Sequence, residues 1–298
     1  MTPEQVPWRE RSRLVRSLRL LRTRRPRTFT EKVRYKMLRD HRPLLVTFAD
    51  KVAVRDHVAS RIGAHYLPGA LAVVEDADDL AGLELPDRYV VKPTHGSGAC
   101  IVVSPSAPAE ERIPPAGSVW GYTHVRPERA DPGELVATAR FWMSQLYGQG
   151  PNREWAYGGV PPRVLVEEMI TAPDGGIPDD LKFFVFHGRC RYVQVDGGRF
   201  GARTQDFFDR SWQHLELSGG PDWADPEPPR PRRLAEMMAI AETLGDGTDF
   251  VRVDLYQVAD RVVFGELTSY PAGGDSPFHP ARFDAEFGRH WTVPSRYR

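Results

Sequence analysis

The sequence predicts an α+β fold built as two lobes, and three observations support that expectation. Two hairpin patterns lie in the second half: KFFVF joined to RCRYVQVD by a His187-Gly188 turn, and FVRVDLYQV joined to RVVFGELT by a turn around Asp260. Helical periodicity fills residues 28–62 and recurs only singly, near 132–147 and 232–244. Strands thus follow strands more often than they follow helices, which argues against a doubly wound parallel sheet.

In chain order, residues 8–27 hold nine arginines and one glutamate, with Leu14, Leu18 and Leu21 at helical spacing. They read as a short amphipathic helix with a solvated arginine face. Residues 28–62 read as two helices separated near Arg42-Pro43, with Asp50 capping the second and Gly63 ending it. Residues 88–92 and 100–103 are short strands, and the proline-rich stretch 104–133 reads as mostly loop. The helix at 132–147 places Leu135, Ala139, Trp142 and Leu146 on one face. RVLVEEMI is a buried strand ending in paired acids, and the loop 221–231 precedes the last predicted helix.

A chain of 298 residues can bury a sizeable core. Forty basic residues balance forty acidic ones, so no global field recruits nucleic acid or an anionic membrane. Cys100 and Cys190 are too few for a disulfide framework and lack metal-ligand spacing, which fits a reducing cytoplasm. No apolar run approaches the roughly 18 residues of a membrane span, and no secretory h-region opens the chain, so neither membrane insertion nor export is expected. Only five basic residues are lysines: Lys32, Lys36, Lys51, Lys92 and Lys182. In so arginine-rich a chain, each lysine is a candidate for a specific task.

The stretch VVKPTHGSGACIVV is neither a Walker A loop nor a dinucleotide fingerprint, since it leads from strand to strand. Gly96 and Gly98 let backbone N–H groups approach an anion, Ser97 adds a hydroxyl, and Lys92 adds a point charge. An ordinary glycine-tipped hairpin is the equal alternative. The last hairpin is more specific. Turned around Asp260, it sets Val258 against Val262, Tyr256 against Phe264 and Asp254 against Glu266, with Arg252 and Thr268 one step further on the same face. Facing carboxylates with Cβ atoms roughly 5 Å apart repel unless a cation or proton intervenes. Magnesium, which takes one or two carboxylates plus substrate phosphates, would resolve this, and Arg252 would stabilise developing charge. Lys182 would reach a terminal phosphate or pair with Asp179 and Asp180. Arg199, Arg203 and the Gly273-Gly274 turn are candidates to receive a substrate carboxylate.

In this order, TFTEKV, ADKVAVRDHV with IGAHYLPG, YVVKPTHGSGACIVV, RVLVEEMI, DDLKFFVFHGR, and VRVDLYQV with FGELT resemble the ATP-grasp superfamily, most closely its TupA-like branch. The resemblance spans about residues 28–274, and its ordered set is specific where each element alone is weak. It implies a short basic helical region, 1–49, before an ATP-grasp domain, 50–298. Within that domain a smaller lobe, about 67–165, bears the glycine-rich hairpin, and a larger lobe, about 166–298, bears the metal-binding hairpin. It further implies Lys51 and Lys92 as phosphate ligands and Gly96, Ser97 and Gly98 as the covering loop. Glu167, Glu168, Met169 and Ile170 would form the adenine hinge, with main-chain groups of Glu168 and Ile170 offered to the base. Lys182 would lie at the γ-phosphate, Asp254, Glu266 and Thr268 at Mg2+, and Arg252 at the acyl-phosphate oxygens. Thr268 departs from the asparagine common in the superfamily, and the usual Rossmann-like N-terminal domain has no room. The implied activity is ATP-dependent joining of a small carboxylate to an amine. A kinase-like phosphotransferase and a polysaccharide-assembly glycosyltransferase are the alternatives, although no Asp-x-Asp motif supports the latter.

Overall fold

Thr28 starts the first helix, α1 (Phe29–Arg39), as a capping box: its hydroxyl accepts the Glu31 N–H while the Glu31 carboxylate accepts the Thr28 N–H. Pro43 occupies the first turn of α2 (Pro43–Ala49), and α3 (Ala53–Ile62) ends at Gly63, whose φ of 106° suits glycine. The computed structural model describes residues 25–118, 120–147 and 154–297, so most of the predicted basic helix at 8–27 lies outside the described residues. Residues 28–62 make three helices where two were expected. Asp50 sits at the α2–α3 junction, buried, taking the Val52 N–H at 2.8 Å and Arg163 at 2.8 Å; that second partner holds it away from the helix-capping position.

The smaller sheet contains β1 (Ala70–Val74), β2 (Tyr89–Pro93), β3 (Cys100–Val103), β4 (Tyr122–Val125) and β5 (Val164–Glu168) in the order β1-β5-β2-β3-β4. Only β3 and β4 run parallel. Helix α4 (Pro132–Met143), capped by Asp131 through the Glu134 N–H, covers one face with Leu135, Ala139 and Trp142. It stops at Met143, which leaves Leu146 exposed off the expected face. Strand β4 falls inside the stretch expected to be loop, because its four residues are too few to show alternation.

The larger sheet contains β6 (Asp180–Phe186), β7 (Arg189–Gly197), β8 (Thr204–Asp209), β9 (Phe250–Val258) and β10 (Arg261–Thr268), ordered β10-β9-β6-β7-β8 and antiparallel throughout. One face receives α5 (Leu234–Gly245), whose Gly245 lies so close to Val185 that a Cβ there would sit 2.5 Å from a methyl. The other face is divided. Phe184, Phe186 and Phe250 are covered by Phe29 of α1 and by Phe287 and Trp291, in and just after α6 (Arg282–Arg289), with ring centroids 5.1–6.1 Å from Phe29. The remainder of that face is polar and open. Helices α1 to α3 share the core of this larger sheet, so the described part of the 1–49 region packs as part of the larger lobe. Among the described residues, no helix is long and apolar enough to cross a membrane.

Candidate functional site

Strand alternation puts Asp180, Lys182, Arg252, Asp254 and Glu266 on the open part of the larger sheet, since Lys182 pairs with Asp254 and Asp254 with Glu266. On the smaller sheet the same rule turns Val90, Lys92, Cys100, Val102 and Glu167 the other way from α4. These two faces enclose a cleft of about 360 Å³. Lys51, Lys92, Ser97, Gly98, Glu167, Glu168, Met169, Ile170, Lys182, Arg252, Asp254 and Glu266 all line it. Two further candidates stand just behind: Gly96, whose carbonyl accepts from Lys51, and Thr268, whose hydroxyl donates to Glu266 at 2.7 Å.

The carboxylate pair faces as expected, but by a different route. Next to the turn, Val262 pairs with Gln257 and Phe264 with Leu255, one residue out of the predicted register. A bulge at Gly265 then restores it, so Glu266 meets Asp254 and Thr268 meets Arg252. Val262 and Phe264 therefore pair on the face opposite Asp254, where they join the apolar core. A Cβ at Gly265 would stand 2.9 Å from the Tyr256 ring and 3.0 Å from the Asp254 carbonyl oxygen, so the close approach requires glycine.

Arg252 resolves the repulsion within the pair. Its guanidinium donates twice to Asp254 at 2.7 Å, and also to Glu266 at 2.9 Å and to Thr268 at 3.0 Å. Lys182 sits 2.8 Å from Asp254, 3.2 Å from Asp180 and 3.8 Å from Asp196. Burial works to raise the Glu266 carboxyl, but the charges of Arg252 and Lys182 prevail and hold it down at about 2. About 40% of the Glu266 side chain still opens onto the cleft. Among the described residues, no three His, Cys, Asp or Glu side chains group to hold a metal ion by themselves. The two carboxylates are nonetheless hard oxygen donors beside open space, which fits Mg2+ whose other ligands come from phosphate and water.

On the smaller sheet, Glu167 is buried and takes both Lys92 and, at 3.5 Å, Arg55. The Glu168 N–H is committed to the Gly69 carbonyl at 2.8 Å and is not free for a base edge. Met169, Cys100 and Val102, with Val90, Ile177 and Phe200, form an apolar patch suited to a flat ring. Lys51 is held against the glycine-rich tip, and burial, only partly relieved by Glu266, pushes its ammonium down to about 8. Arg199 lines the cleft, paired with Asp180 and lying 5.1 Å from the Tyr122 ring centroid. Arg203 lines it too and, among the described residues, has no carboxylate partner. The Gly273-Gly274 turn packs beneath α1 instead, with Gly274 against Arg34. Sequence reasoning missed Arg55 and Asp196, although both lie inside quoted motifs, and Tyr157, whose segment has none; all three line the cleft.

Two α+β lobes closing a lysine- and carboxylate-lined cleft under a glycine-tipped hairpin define an ATP-grasp protein. The profile of the TupA-like ATP-grasp family matches residues 31–109 and 143–292, and the chain belongs to that family. Among solved structures it is similar to D-alanine–D-alanine ligase from Bacillus anthracis complexed with ATP (15% identity, 83% of this chain and 65% of that one, TM-score 0.41). It is similar also to L-amino acid ligase from Bacillus licheniformis (13%, 76% and 42%, TM-score 0.41). The D-alanine–D-alanine ligase from Helicobacter pylori is a third such structure (11%, 83% and 60%, TM-score 0.42). The chain thus spans 42–65% of the length of these structures. No curated protein matches it.

Proposed function

We propose that the protein is an ATP-dependent carboxylate–amine ligase that forms an amide bond through an acyl phosphate. The observation that supports this reading is the convergence of Lys51, Lys92, Lys182 and Arg252 with the Asp254–Glu266 pair in one cleft. The apolar patch around Met169 and Val102 would take adenine, and Lys51 and Lys92 the phosphates. Lys51 and Arg203, the cleft cations without a carboxylate partner among the described residues, would be matched by anions of ATP and substrate. Asp254 and Glu266 would hold Mg2+, which when bound neutralises phosphate charge. Thr268 would keep Glu266 oriented through its hydroxyl.

In the first half-reaction a substrate carboxylate oxygen attacks the γ-phosphorus, the bond to ADP breaks, and an acyl phosphate results. The amine nitrogen then attacks the acyl carbon, and phosphate leaves with the C–O electron pair. Hydroxide is a poor leaving group, whereas phosphate is a good one, so ATP is spent to make the second attack downhill. Arg252 and Lys182 would stabilise charge on the transferring group, and the glycine-rich tip would exclude water. Two buried free cysteines fit a reducing cytoplasm. A product destined for the cell envelope or a specialised metabolite fits a ligase of small carboxylates and amines.

The test is a Mg-ATP assay against panels of amino acids and small peptides. ADP and free phosphate that require both a carboxylate and an amine support the ligase. Phosphate retained on the acceptor would make the protein a phosphotransferase, and release of UDP or GDP a glycosyltransferase.

A further inference from the structure

A backbone tip can hold phosphate only through N–H groups that face it, and a trans peptide fixes each N–H opposite the preceding carbonyl. The partners of the tip's carbonyls therefore decide which amides can meet an anion. The Gly96 carbonyl accepts from the Lys51 ammonium, which lines the cleft, so this carbonyl faces the cleft and the Ser97 N–H turns away. The next peptide is reversed. The Ser97 carbonyl accepts the Trp120 indole N–H at 2.7 Å. Trp120 packs on the α4 side of the smaller sheet, its ring centroid 6.5 Å from that of Trp142. With its carbonyl drawn to that side, the peptide turns the Gly98 N–H toward the cleft, which Gly98 lines.

Among the described residues, the Gly98 N–H has no acceptor. A Cβ built on Gly98 would meet nothing within 4 Å, so the donor borders open space. Packing holds Trp120 in its pose. Its ring stacks on Tyr147 with centroids 5.3 Å apart and meets His95 edge-on at 6.2 Å. His95 is buried, with Nε2 3.0 Å from the Trp142 carbonyl oxygen. A Cβ on Gly96 would lie 2.4 Å from the Trp120 ring, so the tip fits against the indole only as glycine. The base of the tip is fixed as well. The Thr94 N–H donates to the Arg163 carbonyl at 2.9 Å, and the Arg163 N–H donates to the Thr94 hydroxyl at 3.1 Å.

We infer that Trp120 is a positioning residue for the nucleotide: through the Ser97 carbonyl it aims the Gly98 N–H at a phosphate of ATP. The inference rests on the part of the ligase reading that puts ATP in the cleft. Trp120 touches no substrate and acts through one peptide group. Lys51 and Trp120 grip consecutive carbonyls from opposite sides, so of the two amides that follow, only that of Gly98 serves the phosphates. Trp120 belongs to none of the motifs and lies in the stretch expected to be loop.

The experiment measures equilibrium binding of adenosine, ADP and ATP to the full chain with Mg2+. In Trp120→Phe, which keeps an aromatic ring and removes the N–H, affinity for ATP falls about tenfold while adenosine binds as to wild type. Benzothienylalanine in place of Trp120 keeps the bicyclic shape and puts sulfur where the N–H was. It gives the same selective loss, which excludes a cavity as the cause. Equal losses for adenosine and ATP, or unchanged ATP affinity with benzothienylalanine, overturn the role and leave Trp120 as packing. A wild-type chain that takes up no ATP overturns the nucleotide site itself, and the role with it. ATP uptake without amide formation on any substrate panel counts against the ligase reading alone, and the binding comparison still decides the role of Trp120.

Discussion

The two cleft walls are built from the same kind of element and carry opposite chemistry. The smaller sheet offers a mostly apolar surface, Val90, Cys100, Val102 and Met169, in which Glu167 is paired with Lys92 and with Arg55 of α3. The larger sheet offers a lattice of alternating charge in which Lys182 and Arg252 are each shared between carboxylates. An apolar wall favours a flat ring through area removed from water, and such a contact tolerates small displacements. A charge lattice is intolerant, because removing one member leaves its partners buried and uncompensated. Substitutions on the two walls should therefore fail in different ways.

The largest effect is expected from Asp254→Asn. It strips Lys182 and Arg252 of a shared partner, so kcat/KM should fall by about 10³-fold and stability by about 3 kcal/mol. ADP release and urea unfolding measure the two. A loss of activity with full stability would mean that the lattice serves chemistry alone. Next comes Gly265→Val, which forces a side chain against Tyr256 and the Asp254 carbonyl. A stability cost of roughly 1–3 kcal/mol, with a large fall in kcat as Glu266 is displaced, is expected from unfolding and steady-state rates.

Lys51 bridges the two walls and supplies the pH dependence. Its ammonium is lowered to about 8, so on the proposed ligase reading bound phosphates would lose a counter-charge above that pH. ATP affinity in calorimetry should then weaken about tenfold per further pH unit, and Lys51→Arg should flatten the profile. The smallest effect belongs to the apolar wall. Met169→Ala should raise the KM for ATP about fivefold, close to 1 kcal/mol of lost burial, with kcat unchanged. A fall in kcat there would erase the distinction between the walls.

The sequence made the charged wall more legible than the apolar one. Strand alternation from a single turn points to the Asp254–Glu266 pairing, because side-chain parity is a local rule, but the assumed register holds only beyond the Gly265 bulge. The parity switch at Gly265 was missed, although a glycine inside a strand is a signal for a bulge. Strands β1 and β8 were missed for another reason. Ala70–Val74 is a partly exposed edge, and Thr204–Asp209 alternates poorly, so only pairing with β5 and β7 makes them strands. Helix α6 was also unforeseen; its Phe287 shows its purpose only against Phe29 and Tyr192.

The scarcity of lysine has a practical consequence for studying this protein. Lys32 is anchored on the Gly288 carbonyl at 2.7 Å, and Lys36 is fully buried against Asp40 at 2.9 Å. Lys51, Lys92 and Lys182 line the cleft, while Lys32 is the one partly exposed lysine outside it. Amine-directed labelling will therefore report on the cleft interior, with Lys32 and the α-amine as the reference sites outside it. Peptide mapping of the labelled chain, with and without nucleotide, turns that chemical blankness into a direct occupancy gauge.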